Sequence, residues 1–588
     1  MTFKPRYTNL VELFRTATQK YGEKPLFGTR KASGWHWTSY AEFARMVDGA
    51  RAALANMGVE RGDRVAMIAN NRLEWAVCAY GTYTRAAVYV PMYEAQLDKD
   101  WHFILRDSGA KVCFVSGDAV ERRIRALQAD LPSLEHVINL DGPGYAELLE
   151  QTAAVPSTAP ADDDIAKLIY TSGTTGTPKG VCLTHRNLAA NVSGVLEVAP
   201  VKEGDRSLAF LPWAHVFGGA IELNAVMALG GTIAICSNTD KLIEYLPEVR
   251  PTMLFAVPRI WNKIYDGVQK QIAGRPKAIQ ALFHTGLRAK HKQKRGQALT
   301  LGERLALPLA QRLIFSKVVA RFGGELRFAI SGAAALSREV AEFIDDLGIQ
   351  VYEGYGMTES SGATTANAPV PRIGSVGKPI PGVSVKLDPR AVGAAEGEGE
   401  VLIYGTGVMA GYYNQPKATA EAMTEDGGLR SGDLGRFDAD GYLYITGRVK
   451  ELYKLENGRY IAPAPLEEKL QLSPYIAQIM VYGSDHPHNV ALVVPEMTTL
   501  QSWAQDEGLP SVPDALIAHE RTRELLRKEI DTYSREFKGF EAIRAFVVSA
   551  EELTPQNDML TPTLKLKRRN VVARYGPELE ALYGGARK

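Results

Sequence analysis

Residues 170–180 carry three glycines (Gly173, Gly176, Gly180), five aliphatic hydroxyls (Thr171, Ser172, Thr174, Thr175, Thr177) and one cation, Lys179. Such a stretch offers bare backbone N–H groups, several hydroxyl donors and one mobile positive charge, which is the equipment that holds a polyphosphate. Glycine lets backbone approach the anion without a Cβ in the way. The pattern is not the Walker loop, because no Gly-Lys-Ser/Thr closes it. A low-complexity surface linker would have no use for Pro178-Lys179-Gly180.

Four further constellations have types and spacing that suit chemistry. Gly354, Tyr355, Gly356, Thr358 and Glu359 follow a strand expected at 350–352. Tyr355 can stack on a purine, and Glu359 is a hard carboxylate of the kind that holds Mg²⁺ bound to phosphate oxygens. Arg430 to Gly435 reads as a glycine-flanked turn whose carboxylate, Asp433, can accept from both hydroxyls of a ribose. Residues 211–217 place His215 just after a strand at 207–211. Thr561 to Arg569 holds two candidate lysines, Lys565 and Lys567. A lysine suits a reacting phosphate because it is a compact point charge on a flexible stem.

The elements that must position these groups alternate. Strands are expected at 63–68, 87–91, 111–116, 165–170, 181–183, 207–211, 232–235 and 253–256, with helical stretches such as 74–81 and 218–228 among them. That rhythm implies βαβ units and mostly parallel sheets, hence an α/β fold. From about residue 384 the texture changes to short strands separated by Gly, Asp and Pro, a β-rich subdomain. Gly447-Arg448-Val449-Lys450-Glu451 then punctuates the chain, and the helices and strands beyond it suffice for a small α+β domain. The expected organisation is an N-terminal domain over 1–447 with its β subdomain at about 384–447, a hinge at 448–451 and a C-terminal domain over 452–588.

With 68 Lys and Arg against 67 Asp and Glu, no global charge argues for nucleic acid. Cys78, Cys113, Cys182 and Cys236 are far apart in apolar runs, which reads as reduced, buried thiols and a cytoplasmic setting. The N-terminal residues lack an apolar signal core, and no stretch approaches the ~20 apolar residues of a membrane span. One region stands out in charge. Residues 267–302 contain no Asp or Glu but hold Lys270, Arg275, Lys277, Arg288, Lys290, Lys292, Lys294 and Arg295. A basic amphipathic helix here is a candidate peripheral contact with an anionic membrane, on the inner face, and a solvated helix is the equally good alternative. Nothing fixes the oligomeric state, and a homodimer is compatible with the sequence.

The glycine- and hydroxyl-rich loop closely resembles the phosphate-binding loop of the adenylate-forming superfamily, which includes acyl-CoA synthetases, luciferases and nonribosomal adenylation domains. Residues 354–359 are similar to the second core motif of that family, and at least five motifs occur in the family's order over essentially the whole chain. The resemblance implies that Thr358 and Glu359 contact phosphate and metal, that Gly332 and Ala333 lie beside the adenine, and that Asp433 binds ribose. It implies that Arg448 contacts nucleotide, that backbone at Lys450 rotates, and that Gly458 faces the site in a second half-reaction. His215 would line the acyl pocket near the reacting carboxylate. The final motif would supply a catalytic lysine; its form Thr561-Pro562-Thr563-Leu564-Lys565 is that of the long-chain branch, and alignment on Arg568-Arg569 favours Lys565 over Lys567. The segment Pro258-Arg259-Ile260-Trp261 also looks like long-chain acyl-CoA synthetases.

The implied fold is a large N-terminal domain of two doubly wound sheets plus a β subdomain, with a small mobile α+β C-terminal domain. The implied activity is ATP- and Mg²⁺-dependent conversion of a fatty acid to acyl-adenylate and then, with coenzyme A, to acyl-CoA. The alternatives are a fatty acyl-AMP ligase serving a carrier protein, and a non-catalytic lipid-binding protein on the same scaffold.

Overall fold

The structure is a computed structural model that describes residues 3–149, 155–172 and 178–584. The chain divides into two compact units. The larger comprises residues 1–386, 402–431 and 438–444, and the smaller comprises 387–401, 432–437 and 445–588. The chain therefore changes unit several times within the 384–447 stretch.

The larger unit is built on parallel β-sheet. Its widest sheet has seven strands, five of them parallel and in the order Ile165–Ser172, Val88–Met92, Arg64–Ile68, Val112–Val115, His136–Asn139. Strands of this kind, covered on both faces, should read as continuous apolar runs. Val65 to Ile68 and Val112 to Val115 do, and all are buried. Pro178–Thr184 turns back antiparallel on Ile165–Ser172, from Ser172 opposite Pro178 to Ile165 opposite Thr184. The short strand Gly411–Tyr412 extends that edge, with Tyr412 opposite Val181. A second sheet of five strands runs Met253–Ala256, Phe328–Ser331, Gln350–Tyr355, Thr365–Ala366, Lys378–Pro379, the first three parallel. A four-stranded sheet holds Arg206–Ala209 and Thr232–Ile235. Trp75, Trp101, Trp213 and Trp261 are among the largest fully buried side chains of this unit.

The smaller unit carries the three-stranded sheet Ile476–Tyr482, Asn489–Pro495, Ile543–Val548. Helices Pro463–Leu470 and Glu520–Tyr533 cover one face through Leu466, Leu470, Leu526 and Ile530. The other face takes Val571, Tyr575 and Leu579 of the helix Arg568–Gly584.

Three local expectations change. Gly354 and Tyr355 are not in a turn after a strand, because the strand runs on from Gln350 to Tyr355 and pairs with Thr365–Ala366. Arg430 to Gly435 is not a β-turn but the interior of the nine-residue strand Leu429–Phe437, with Gly432 at φ +71° breaking its regularity. The helix expected at 218–228 begins as a π-helix over Phe217–Glu222 before it becomes α-helical at Leu223. All four cysteines are buried and free, and among the described residues no helix is long and apolar enough to cross a membrane.

Candidate active site

Thr171 and Lys179 face each other across the hairpin of Ile165–Ser172 and Pro178–Thr184. Its tip, Gly173, Thr174, Thr175, Gly176 and Thr177, and the side chain of Ser172 lie outside the described residues. The helix His185–Val198 follows the hairpin directly, started by a capping box in which Thr184 and Asn187 exchange side-chain and backbone bonds. Asn187 and Asn191, four residues apart, share one face of it. Asn187 Nδ2 donates to the carbonyls of Thr406 (2.7 Å) and Val408 (2.9 Å), and Asn191 Nδ2 to those of Ser360 (3.2 Å) and Ala363 (2.6 Å). One helix thus fixes both the Thr358–Ser360 turn and the 406–409 segment. Met409 N–H then donates to the Glu359 carbonyl at 2.8 Å.

Held in this way, Thr358 and Glu359 are buried at the end of the second sheet. Tyr412 Oη donates to Glu359 Oε1 at 3.0 Å, and Lys179 Nζ sits 4.9 Å from the centre of the Tyr412 ring. Burial and then the Glu359 charge hold the Tyr412 phenol well above its ordinary range, so it remains a donor. The result is a line of cation, phenol and carboxylate that begins at the root of the glycine-rich hairpin. Among the described residues no cluster of three or more His, Cys, Asp or Glu could hold a metal. One buried carboxylate does fit Mg²⁺, which takes most of its shell from phosphate and water.

Tyr355 is half-buried beside Gly356, whose own place is dictated by close approach. A Cβ at Gly356 would lie 2.0 Å from the Gly362 carbonyl oxygen. Gly332 is buried under the Phe217 ring, and Ala333 is exposed with φ +70°. Phe217 opens the π-helix, and Ile221 and Val216 pack on Gly362. His215 is half-buried; its Nδ1 accepts from Phe217 N–H at 3.3 Å and its carbonyl from Gly219 N–H at 2.8 Å. The π-helix therefore touches the segments of Gly332 and Glu359 while starting two residues after His215.

Sequence reasoning passed over two buried charged groups at this π-helix. Lys167, inside an otherwise apolar strand, is 1% exposed and donates to the Gly219 carbonyl. Burial lowers its pKa to about 7. Glu222 is fully buried and accepts from Ser207 Oγ; burial raises its pKa to about 8. Tyr412 was also missed. The signal for Lys167 was a lone cation in an apolar run three residues before Tyr170.

In the smaller unit, Arg448 Nε donates to Asp433 Oδ1 at 2.8 Å, so the two residues expected to bind nucleotide separately are bonded to each other. Val449–Glu451 is a single 3₁₀ turn with Lys450 exposed. Gly458, at φ +83°, lies in the exposed hairpin loop between Tyr453–Lys454 and Tyr460–Ile461. The 561–567 segment is also a tight loop. Thr561 N–H donates to the Lys565 carbonyl at 2.8 Å, and Lys565 N–H to Thr561 Oγ1 at 3.1 Å. Lys565 is exposed at its end, next to Leu564 at φ +63°. Lys567 forms an ion pair with Asp558.

Two family models cover nearly all of the chain: AMP-binding enzyme over residues 14–413, and AMP-binding enzyme C-terminal domain over residues 451–587. The chain belongs to the AMP-binding enzyme family. A long-chain-fatty-acid–CoA ligase of Mycobacterium bovis is 33% identical over 569 residues, 93% of this chain and 92% of the relative. The peroxisomal long chain acyl-CoA synthetase 7 of Arabidopsis thaliana is 31% identical over 98% of this chain and 87% of its own. The adenylation domain of a carboxylate reductase from Mycobacterium chelonae superposes with a TM-score of 0.77 at 25% identity, over 99% of this chain and 92% of that domain. The protein is thus an adenylate-forming enzyme with the mixed α/β architecture of adenylation domains, a large N-terminal part and a small C-terminal part.

Proposed function

We propose that this enzyme activates a long-chain fatty acid with ATP and transfers it to coenzyme A. The relatives named above carry that activity in their names over nearly the full chain. The observation that carries the reading is the line Lys179–Tyr412–Glu359, which converges on the end of a parallel sheet beside the phosphate-loop hairpin.

In the first half-reaction a carboxylate oxygen of the fatty acid attacks the α-phosphorus. The bond to the bridging oxygen breaks, and pyrophosphate leaves with that electron pair. Little covalent chemistry falls to the protein, which aligns the nucleophile and spreads negative charge. Thr171–Lys179 grips the phosphates, Tyr355 stacks on the base beside Gly332, Ala333 and Gly356, and Thr358 contacts phosphate. Mg²⁺, when bound through Glu359, supplies charge neutralisation on the phosphate oxygens. Lys565 reaches the reacting carboxylate and α-phosphate; its exposure at the end of its loop supports that choice. His215 lines the acyl pocket.

In the second half-reaction the C-terminal domain, 452–588, turns about the 448–451 hinge at Lys450 and brings the Gly458 loop to the site. The coenzyme A sulfur attacks the acyl carbonyl, its proton is released, and AMP leaves. Asp433 holds ribose and Arg448 the nucleotide in this scheme, which requires their mutual bond to open or to present both groups together.

The test is a panel of fatty acids of increasing length with ATP, Mg²⁺ and coenzyme A, read by pyrophosphate, AMP and thioester release. The reading expects all three products in equal amounts, with a maximum at long chains. Pyrophosphate and acyl-AMP without thioester would mark an acyl-AMP ligase; no pyrophosphate with any acid would overturn catalysis.

A further inference from the structure

The basic stretch 267–302 keeps Arg275, Lys277 and Arg288 exposed but engages the cations at its end. It forms parts of two helices, Pro258–Ala273 and Lys277–Lys294, and its C-terminal charges are used internally. Lys292 pairs with Glu303, Lys294 with Asp345, Arg295 with Glu342, and His291 with Asp346.

The unexplained surface lies on the next element. Helix Leu301–Ala310 begins at a capping box of Thr300 and Glu303 and runs on through the π turn Gln311–Phe315 into Ser316–Ala320. Leu301, Leu305, Leu309 and Leu313 recur every fourth residue and are 75%, 64%, 51% and 46% exposed. Four-residue spacing aligns them along one side of the helix. The opposite side holds the burial work, with Leu307, Ala310, Ile314 and Phe315 all inside. One exposed leucine is ordinary, but four in register form a continuous apolar ridge, the kind of patch that marks an interaction surface.

Its charge says what it meets. The exposed charged residues from 301 to 321 are Arg304, Arg312, Lys317 and Arg321, and among the described residues none of the four forms an ion pair. The single acid in that span, Glu303, is buried against Lys292. The ridge is preformed. A Cβ at Gly286 would lie 2.4 Å from that of Ala310, so the two helices cross at close range, and Phe283 meets Phe315 edge-on at 5.9 Å. A leucine ridge whose own span, 301–321, exposes only cations matches the interfacial plane of an anionic bilayer, with apolar side chains in the acyl boundary and basic ones at the headgroups.

We propose that the Leu301–Leu313 ridge, with Arg304, Arg312 and Lys317 beside it, docks the larger unit on an anionic lipid bilayer. The contact does not depend on the proposed reaction, because it is read without ATP or coenzyme A. The experiment uses the full chain and vesicles of phosphatidylcholine with and without phosphatidylglycerol, scored by cosedimentation. Wild type should bind the anionic vesicles and release on raising salt. Leu305→Glu with Leu309→Glu should lower the partition coefficient about ten-fold or more, and Arg304→Glu with Arg312→Glu by about as much, with a shallower salt dependence. Both pairs are at the surface, and an unchanged melting temperature confirms an intact fold. Because the native cysteines are all buried, a Leu309→Cys variant takes an environment-sensitive dye selectively, and its emission should shift to the blue on anionic vesicles only.

Vesicle binding equal to wild type in the leucine pair would overturn the proposal, as would failure of wild type to bind. So would a wild-type dimer that the leucine pair converts to monomer without loss of vesicle binding, since the ridge would then serve a second copy.

Discussion

Two lysine-bearing regions are built in opposite ways. Around Glu359 everything is fixed in advance: Asn191 holds the turn and Asn187 the 406–409 segment beside it, the half-buried Tyr412 phenol donates to the carboxylate, and Lys167 is locked under the π-helix. At Lys565 the mount is a five-residue loop closed on itself by Thr561, and the residue is exposed. The contrast teaches a division of labour. A group that must meet charge in one invariant geometry is set into packed strand ends, where reorganisation costs nothing at the moment of reaction. In the proposed scheme, the lysine needed for only part of the cycle sits on a small loop of its own.

The sharpest way to break this contrast is Lys565→Ala. Adenylate formation should fall about a thousand-fold, while supplied acyl-adenylate and coenzyme A still yield thioester at the wild-type rate. Rapid-quench measurement of each half-reaction checks it, and equal loss of both would end the idea of a part-time lysine. Next comes Tyr412→Phe, which removes the donor from the buried carboxylate. It should cost about ten- to a hundred-fold in kcat/KM, as loss of a bond to a charged group does, and raise the Mg²⁺ concentration for half-maximal rate. An unchanged Mg²⁺ profile would detach Tyr412 from metal binding.

The fixed region should also betray itself in stability. Glu222 folds with a pKa raised by burial from the ordinary 4.5 to about 8. Between those values the folded chain holds the extra proton, so unfolding free energy falls as pH rises through that window. Lys167 is the reverse: lowered by burial from 10.5 to about 7, it makes stability rise with pH across that interval. Denaturant titrations from pH 5 to 10 should show Glu222→Gln flattening the fall and Lys167→Met flattening the rise, each by on the order of a few kcal/mol. The smallest effect is expected of Lys567→Ala. Removing its partly exposed pair with Asp558 should cost about 0–1 kcal/mol and leave adenylate formation within about three-fold of wild type. A large loss there would move the catalytic role from Lys565 to Lys567.

Much of this was legible in the chain. The alternation of apolar runs with helical stretches gave the parallel sheets, because covered strands cannot hide their hydrophobicity. What failed to show were features that depend on distant pairing. Tyr412 lies 53 residues from Glu359 and on a two-residue strand that exists only against Val181 and Cys182. Asp433 read as a turn because Gly432 breaks the alternation of its strand. The π-helix at Phe217–Glu222 keeps an apolar texture that no α-helical period distinguishes. The pairing at the end of the basic run 267–302 was hidden for a related reason: the counter-charges Asp345 and Asp346 come from another helix, Arg338–Asp346.

Gly356 shows what such crowding means for the history of the molecule. With another stretch of main chain only 2.0 Å from where its first side-chain atom would stand, this position can spell one letter alone. A saturation library there should return the parent residue and nothing else, and any drift in base preference must be written at its neighbours.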